Sequence, residues 1–159
     1  MWIQLEGGTL YPPDLEQSGI DLESLVVIHV PRDKGSNARA PNASRGAYGL
    51  CRAAEMLLRS GAFGLVVVDL TEGAPPSGSE AWQGRLLALA RQHASPVVLL
   101  TDKPAHADSL GTLVGLRIEP QRAREAPGRF TIDPQVLKNK SGAPLDLPSP
   151  GYRGPWGVR

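Results

Sequence analysis

Three short runs of consecutive apolar residues set the rhythm of the first hundred positions. They are Leu25-Val26-Val27-Ile28-His29-Val30, Leu65-Val66-Val67-Val68 closed by Asp69, and Pro96-Val97-Val98-Leu99-Leu100. Each has strand length, is rich in branched side chains and does not alternate, the pattern of strands covered on both faces in a parallel sheet. His29, inside such a run, reads as a satisfied core residue. A weaker run over residues 1–5 ends at the turn signal Gly7-Gly8 and predicts a further strand. A chain that opens directly in a strand reads as a fragment or a shortened relative of something longer, because free termini usually fray.

Between the runs the period changes to that of a helix. Ala47, Leu50, Cys51, Ala54, Leu57 and Leu58 form one apolar stripe over 45–60, with Ser44 as N-cap and Gly61 as stop. Trp82, Leu86, Leu89, Ala90 and His93 do the same for a helix opening at Ser79 or Glu80. Residues 11–18 predict a short helix that starts at Pro12-Pro13 and stops at Gly19. The stretches 31–46 and 73–79 read as loops. After Asp102 the pattern changes again. Residues 114–120 and 130–138 read as more exposed, antiparallel strands joined by a polar turn over 122–128, and 141–159 carries four Pro and four Gly. The expected architecture is α/β: a mostly parallel sheet flanked by helices, with a C-terminal antiparallel extension of one sheet edge. The expected division is a core over 1–140 and a flexible tail over 141–159.

Composition narrows the function classes. With 41% hydrophobic and 21% charged residues in 159 positions, the chain can bury a core, and no apolar run approaches the length that spans a bilayer. No basic start followed by an apolar segment marks it for secretion, and the single cysteine, Cys51, excludes an internal disulfide and a cysteine-cluster zinc site. A cytoplasmic location and no membrane contact are expected. The net charge of +1 is unevenly spread: residues 1–30 carry five acids and no Lys or Arg, whereas 121–159 carry seven bases against three acids. That basic quarter is suited either to plain solvation or to a phosphate backbone or acidic partner.

In sheets of this kind ligands sit at the carboxyl ends of the strands. Glu6, Asp69, Thr101 and Asp102 fall there. Asp69 is of the type that holds magnesium in phosphate-loop nucleotidases, and Glu6 of the type that orients a water. The complementary half of such a site is missing from this sequence. No G-x-x-x-x-G-K-[ST] cradle occurs, nor G-x-G-x-x-G, nor G-x-S-x-G, and His29, His93 and His106 have no metal spacing. Trp156, in the Gly- and Pro-rich tail, reads as an interface anchor.

In order along the chain, Ile3-Gln4-Leu5-Glu6, Leu10-Tyr11-Pro12, Ser18-Gly19-Ile20-Asp21 and Leu25 resemble the segment that follows the phosphate loop in RecA recombinases. Leu58-Arg59-Ser60-Gly61 with Val66-Val67-Val68-Asp69 resembles their helix and magnesium strand. Val136-Leu137-Lys138-Asn139-Lys140-Ser141-Gly142-Ala143-Pro144 resembles their Lys-Asn-Lys strand. The resemblance covers about 140 residues. It implies a RecA-like core in which Glu6 and Asp69 are vestigial nucleotide-site carboxylates. Lys138 and Lys140 would match lysines that reach across a filament interface. Departures are as informative. Asp14 stands in place of an adenine-stacking tyrosine, Thr101-Asp102 in place of an Asn-Gln sensor pair, and 72–79 and 103–111 in place of longer DNA-binding loops.

A degenerate core of this size resembles the ImuA, or SulA-like, family of bacterial SOS mutagenesis. That resemblance implies a non-catalytic adaptor in DNA repair and translesion synthesis, needing no cofactor or metal. Its partners would be RecA and a polymerase-like ImuB protein, with weak DNA binding a further possibility. The strand that precedes this segment in RecA lies inside the sheet, so its absence here predicts either a rearranged sheet or a homodimer that covers the bare edge. Lys138, Lys140 and Trp156 are the candidate contacts. Two other readings stay open: a recombinase-type ATPase whose phosphate loop lies upstream of this chain, and a DNA-binding module built on the basic C-terminal quarter.

Overall fold

The computed structural model describes residues 1–16, 18–32, 42–72 and 80–153, and it divides the chain into two compact units, 1–102 and 103–159. The division therefore falls after Asp102. Part of the segment expected as a tail belongs to the second unit's sheet.

The first unit is built on a parallel sheet of β1 (Trp2–Leu5), β2 (Val27–Val30), β3 (Val66–Asp69) and β4 (Val97–Leu100) in the order β2-β1-β3-β4. The ladders pair Trp2 with Val27 and Val67, and Val68 with Ile3 and Leu99. Three helices connect the strands: α1 (Pro12–Glu16), α2 (Asn42–Leu58) and α3 (Ala81–Gln92). The α2 stripe is the heart of the core. Ala47, Leu50, Cys51, Ala54 and Leu58 are buried with Ile3, Leu5, Val66 and Val68, and α3 adds Trp82 and Leu86. Gly61 has φ +66°, the left-handed value at which a helix exit favours glycine. The helix begins at Asn42, so Ser44, expected at its N-cap position, lies inside it. Between the helices, the Glu55 carboxylate accepts from Arg59 Nη2 at 2.6 Å and Arg85 Nε at 2.7 Å. The Arg85 guanidinium holds the Glu55 carboxyl below its ordinary value.

The two sheet faces are unequal, and connection handedness explains why. The crossovers through α2 and α3 run in the same direction across the sheet, so the right-handed rule puts both helices on one face. The β1-to-β2 connection runs the other way and falls on the second face, where it supplies only the five-residue α1, none of whose residues is buried. That face carries Trp2, Gln4, Val27, His29, Val67 and Val98. Gln4 is covered, its Oε1 accepting from Leu10 N at 3.4 Å, but Val98 is 42% exposed. His29 is exposed too, which corrects its reading as a core residue. Its strand is covered on one side only.

The second unit is an antiparallel sheet of β5 (Leu116–Ala126), β6 (Arg129–Asn139) and β7 (Gly151–Arg153). It is separate from the parallel sheet and does not extend its edge, contrary to expectation. The polar stretch read as a turn over 122–128 is mostly ladder: Arg122 pairs with Ile132 and Arg124 with Phe130, leaving Pro127-Gly128 as the turn, with Gly128 at φ +70°. No described residue of this unit is buried.

Candidate functional site

The carboxyl ends of the parallel strands gather the residues that the sequence singles out. The β1–β3 ladder pairs Ile3 with Val68, so Glu6 leaves β1 next to the end of β3, where Asp69 sits. Glu6 is exposed and Asp69 half-buried. Asp69 is committed locally: its Oδ1 accepts from Thr71 N at 3.0 Å and from Thr71 Oγ1 at 2.6 Å, an Asx turn that leads the chain off the strand. Arg32, just beyond β2, is the residue that sequence reasoning missed. Its Nε donates to the Glu6 carbonyl at 2.7 Å, and its guanidinium pairs with Glu72. One side chain thus ties together the exits of β1, β2 and β3. Only its place right after an apolar run and Pro31 could have marked it out from the other arginines of the 31–46 stretch.

The electrostatics of this end follow from the inventory. Glu6, Asp69, Glu72 and Asp102 lie at or just beyond the strand ends among the described residues, and Arg32 pairs with Glu72. No three described His, Cys, Asp or Glu side chains are grouped so as to hold a metal ion. Thr101-Asp102, which the sequence places at the end of β4, leaves the strand beside this acidic rim.

The Lys-Asn-Lys segment lies in the second unit. Arg117 and Lys138 stand directly opposite each other on β5 and β6, two like charges that need separate partners. Each finds them in the segment before β5. The Arg117 guanidinium donates to the carbonyls of Ala107, Pro104 (2.7 Å) and Lys103 (3.2 Å). Lys138 Nζ donates to Ser109 Oγ at 2.9 Å and to the Gly111 carbonyl at 3.0 Å, and Lys140 Nζ donates to the Thr112 carbonyl. An ammonium has three donors, so Lys138 keeps one for anything else. Lys140 remains exposed. These cations clamp 103–112 onto the base of the hairpin. Trp156 lies outside the described residues.

The remaining candidates resolve simply. His93 occupies the C-cap of α3, where the sequence puts it. No helix among the described residues is long and apolar enough to cross a membrane. Cys51 is buried on the α2 stripe, and burial pushes its thiol up to about 12. The native thiol is therefore expected to resist an aromatic disulfide reagent at pH 8 and to react stoichiometrically once denatured, read from the released chromophore. The fold holds this proton up to about pH 12, whereas the unfolded chain releases it near 9.0. The Cys51 contribution to stability is level below pH 9 and falls as pH rises from there towards 12.

No protein-family model matches this sequence, and no curated protein matches it either.

Proposed function

We propose that this chain is a non-catalytic, recombinase-like adaptor of the bacterial DNA-damage response that binds RecA or a polymerase-like partner of translesion synthesis and modulates recombination. The observation that carries the reading is the acidic mouth of the parallel sheet. Where a recombinase would hold its triphosphate, Asp69 is folded into a turn with Thr71, and Arg32 is taken up by Glu72 and the Glu6 carbonyl. The resemblance in residue order supplies the partner class. The second unit supplies a surface suited to it: Leu116, Ile118 and Val136 stand exposed towards the base of the hairpin. A subunit that offers one face of a head-to-tail assembly without its mate ends a filament instead of extending it.

The test is strand exchange by RecA in the presence of the purified chain. Inhibition at near-stoichiometric ratios, with co-elution of the two proteins, is the expected result. No inhibition and no co-elution would remove the adaptor reading. A second reading is favoured by one observation, that Glu6 and Asp69 do leave neighbouring strands at the same end of the sheet. It is the ATPase with its phosphate loop upstream. Magnesium-dependent ATP turnover that is lost in Glu6→Gln would establish it.

A further inference from the structure

The far end of the hairpin, from residue 121 to the Pro127-Gly128 turn and back to 132, differs in chemistry from its base. The register brings Arg124, Phe130 and Tyr152 into one cross-strand row over β5, β6 and β7. One row on, Arg122 stands opposite Ile132, and its guanidinium lies 5.0 Å from the centroid of the Phe130 ring. Tyr152 is 40% exposed. On the other face, Arg129 and Arg153 are paired directly across the ladder, and both are exposed. Like charges set directly opposite destabilise a sheet. None of these four arginines makes an ion pair with a described residue. The nearby Asp133 is engaged by Ser149 Oγ at 3.1 Å. The second unit as a whole carries nine bases against five acids.

From this juxtaposition we infer that the hairpin tip is a binding platform for single-stranded nucleic acid. Bases have π-faces and stack on aromatic rings or on guanidinium planes, and neighbouring strands spaced about 4.8 Å apart present such groups side by side. Tyr152 offers a ring. Arg122, its guanidinium 5.0 Å from the Phe130 ring centroid, offers a further planar group beside it. Arg124 closes the row, and Arg129 and Arg153, in the adjacent row on the other face, are within reach of a phosphate backbone that turns around the end of the hairpin, which would relieve their mutual repulsion. A duplex hides its base faces and could use only the arginines, so the aromatic row selects for single strands. An acidic protein segment would be drawn by the same charges but would leave the paired rings without a purpose. This surface is distinct from the acidic mouth and from the apolar base of the hairpin, and the inference stands or falls independently of the adaptor reading.

The test is fluorescence anisotropy of labelled oligonucleotides with the full chain, using oligo-dT, oligo-rU and a duplex of the same length. At 50 mM salt the single strands are expected to bind at least tenfold more tightly than the duplex. With three to four phosphates neutralised, affinity should fall on the order of 30-fold between 50 and 200 mM salt. Tyr152→Ala is expected to weaken single-strand binding by about tenfold and Tyr152→Phe to restore it, because the ring and not the hydroxyl does the stacking. Arg124→Glu, at an exposed position with no packing role, is expected to weaken it as well. DNA and RNA strands bound with the same Tyr152 dependence would both support the platform, and a preference for one names its source. Absence of binding at 50 mM salt overturns the inference. So does binding that Tyr152→Ala and Arg124→Glu leave unchanged, or a loss of RecA co-elution in Tyr152→Ala with oligonucleotide affinity intact, which would give the face to a protein.

Discussion

Leu50→Ala is expected to cost the first unit about 2–5 kcal/mol, whereas Ile118→Ala in the second costs under about 1 kcal/mol, although both remove aliphatic side chains of the same size. The difference lies in what surrounds them. Leu50 is 1% exposed on α2, within a core that also holds Ile3, Leu58, Val66 and Val68. Truncating it forfeits the transfer free energy of its methyl and methylene groups and leaves a cavity that a helix packed on a sheet closes only in part. Ile118 is 38% exposed already, on a sheet whose described residues include no buried side chain. Its removal opens no cavity. Urea titrations followed by far-ultraviolet circular dichroism, with the buried Trp82 as a fluorescence reporter of the first unit, read both values. An equal loss for the two variants would mean that the hairpin face is covered in solution.

The same contrast decides what could be read from the sequence. The order of strands and helices over 1–102 was legible because burial imprints a period: Leu65 to Val68 could hardly be anything but a strand, and the α2 stripe recurs at helix spacing because its residues meet one surface. The mouth was legible in part. Asp69 and Glu6 are where runs of apolar residues end, but the contacts around them are made by Thr71 and Arg32, and neither a two-residue Asx turn nor a guanidinium reaching between strand exits leaves a periodic trace. The hairpin was legible only at its base. From Gln121 to Ala126 the ladder runs through Arg, Ala and Glu on a sheet open to water on both faces, so no alternation marks it, and 122–128 reads as a turn. For the same reason β7 was invisible, its three residues being placed by the partner strand and by no pattern of their own. Burial covered on one side only also explains His29, which an apolar neighbourhood in sequence did not put in an apolar neighbourhood in space.

Amide hydrogen exchange on the full chain is expected to separate the two units by at least a thousandfold in protection. Amides of β1, β3 and α2 open only with the loss of the first unit's core, because Ile3, Leu50, Leu58, Val66 and Val68 are all within 1% of full burial. Their protection therefore reports a free energy of several kcal/mol. The hairpin has no such anchor. Ordering its backbone costs about 1–2 kcal/mol per residue. Against that stand ladder hydrogen bonds worth little net in water, the clamps of Arg117, Lys138 and Lys140, and side chains that keep much of their hydration. A three-stranded sheet without a packed face is marginal. Each factor of ten in protection corresponds to about 1.4 kcal/mol of opening free energy, so a gap of a thousandfold asks for only about 4 kcal/mol between the units. Whatever binds the hairpin then has an effect out of proportion to its contact area, since it stabilises by mass action a sheet that otherwise opens readily. Oligo-dT should slow exchange at Phe130 and Tyr152, and RecA should slow it at Ile118 and Val136, each ligand marking its own half of the same sheet. Hairpin amides as slow as those of β3 in the free chain would show that the second unit carries its own stability, and that its exposed side chains are surface and not an unfinished interface.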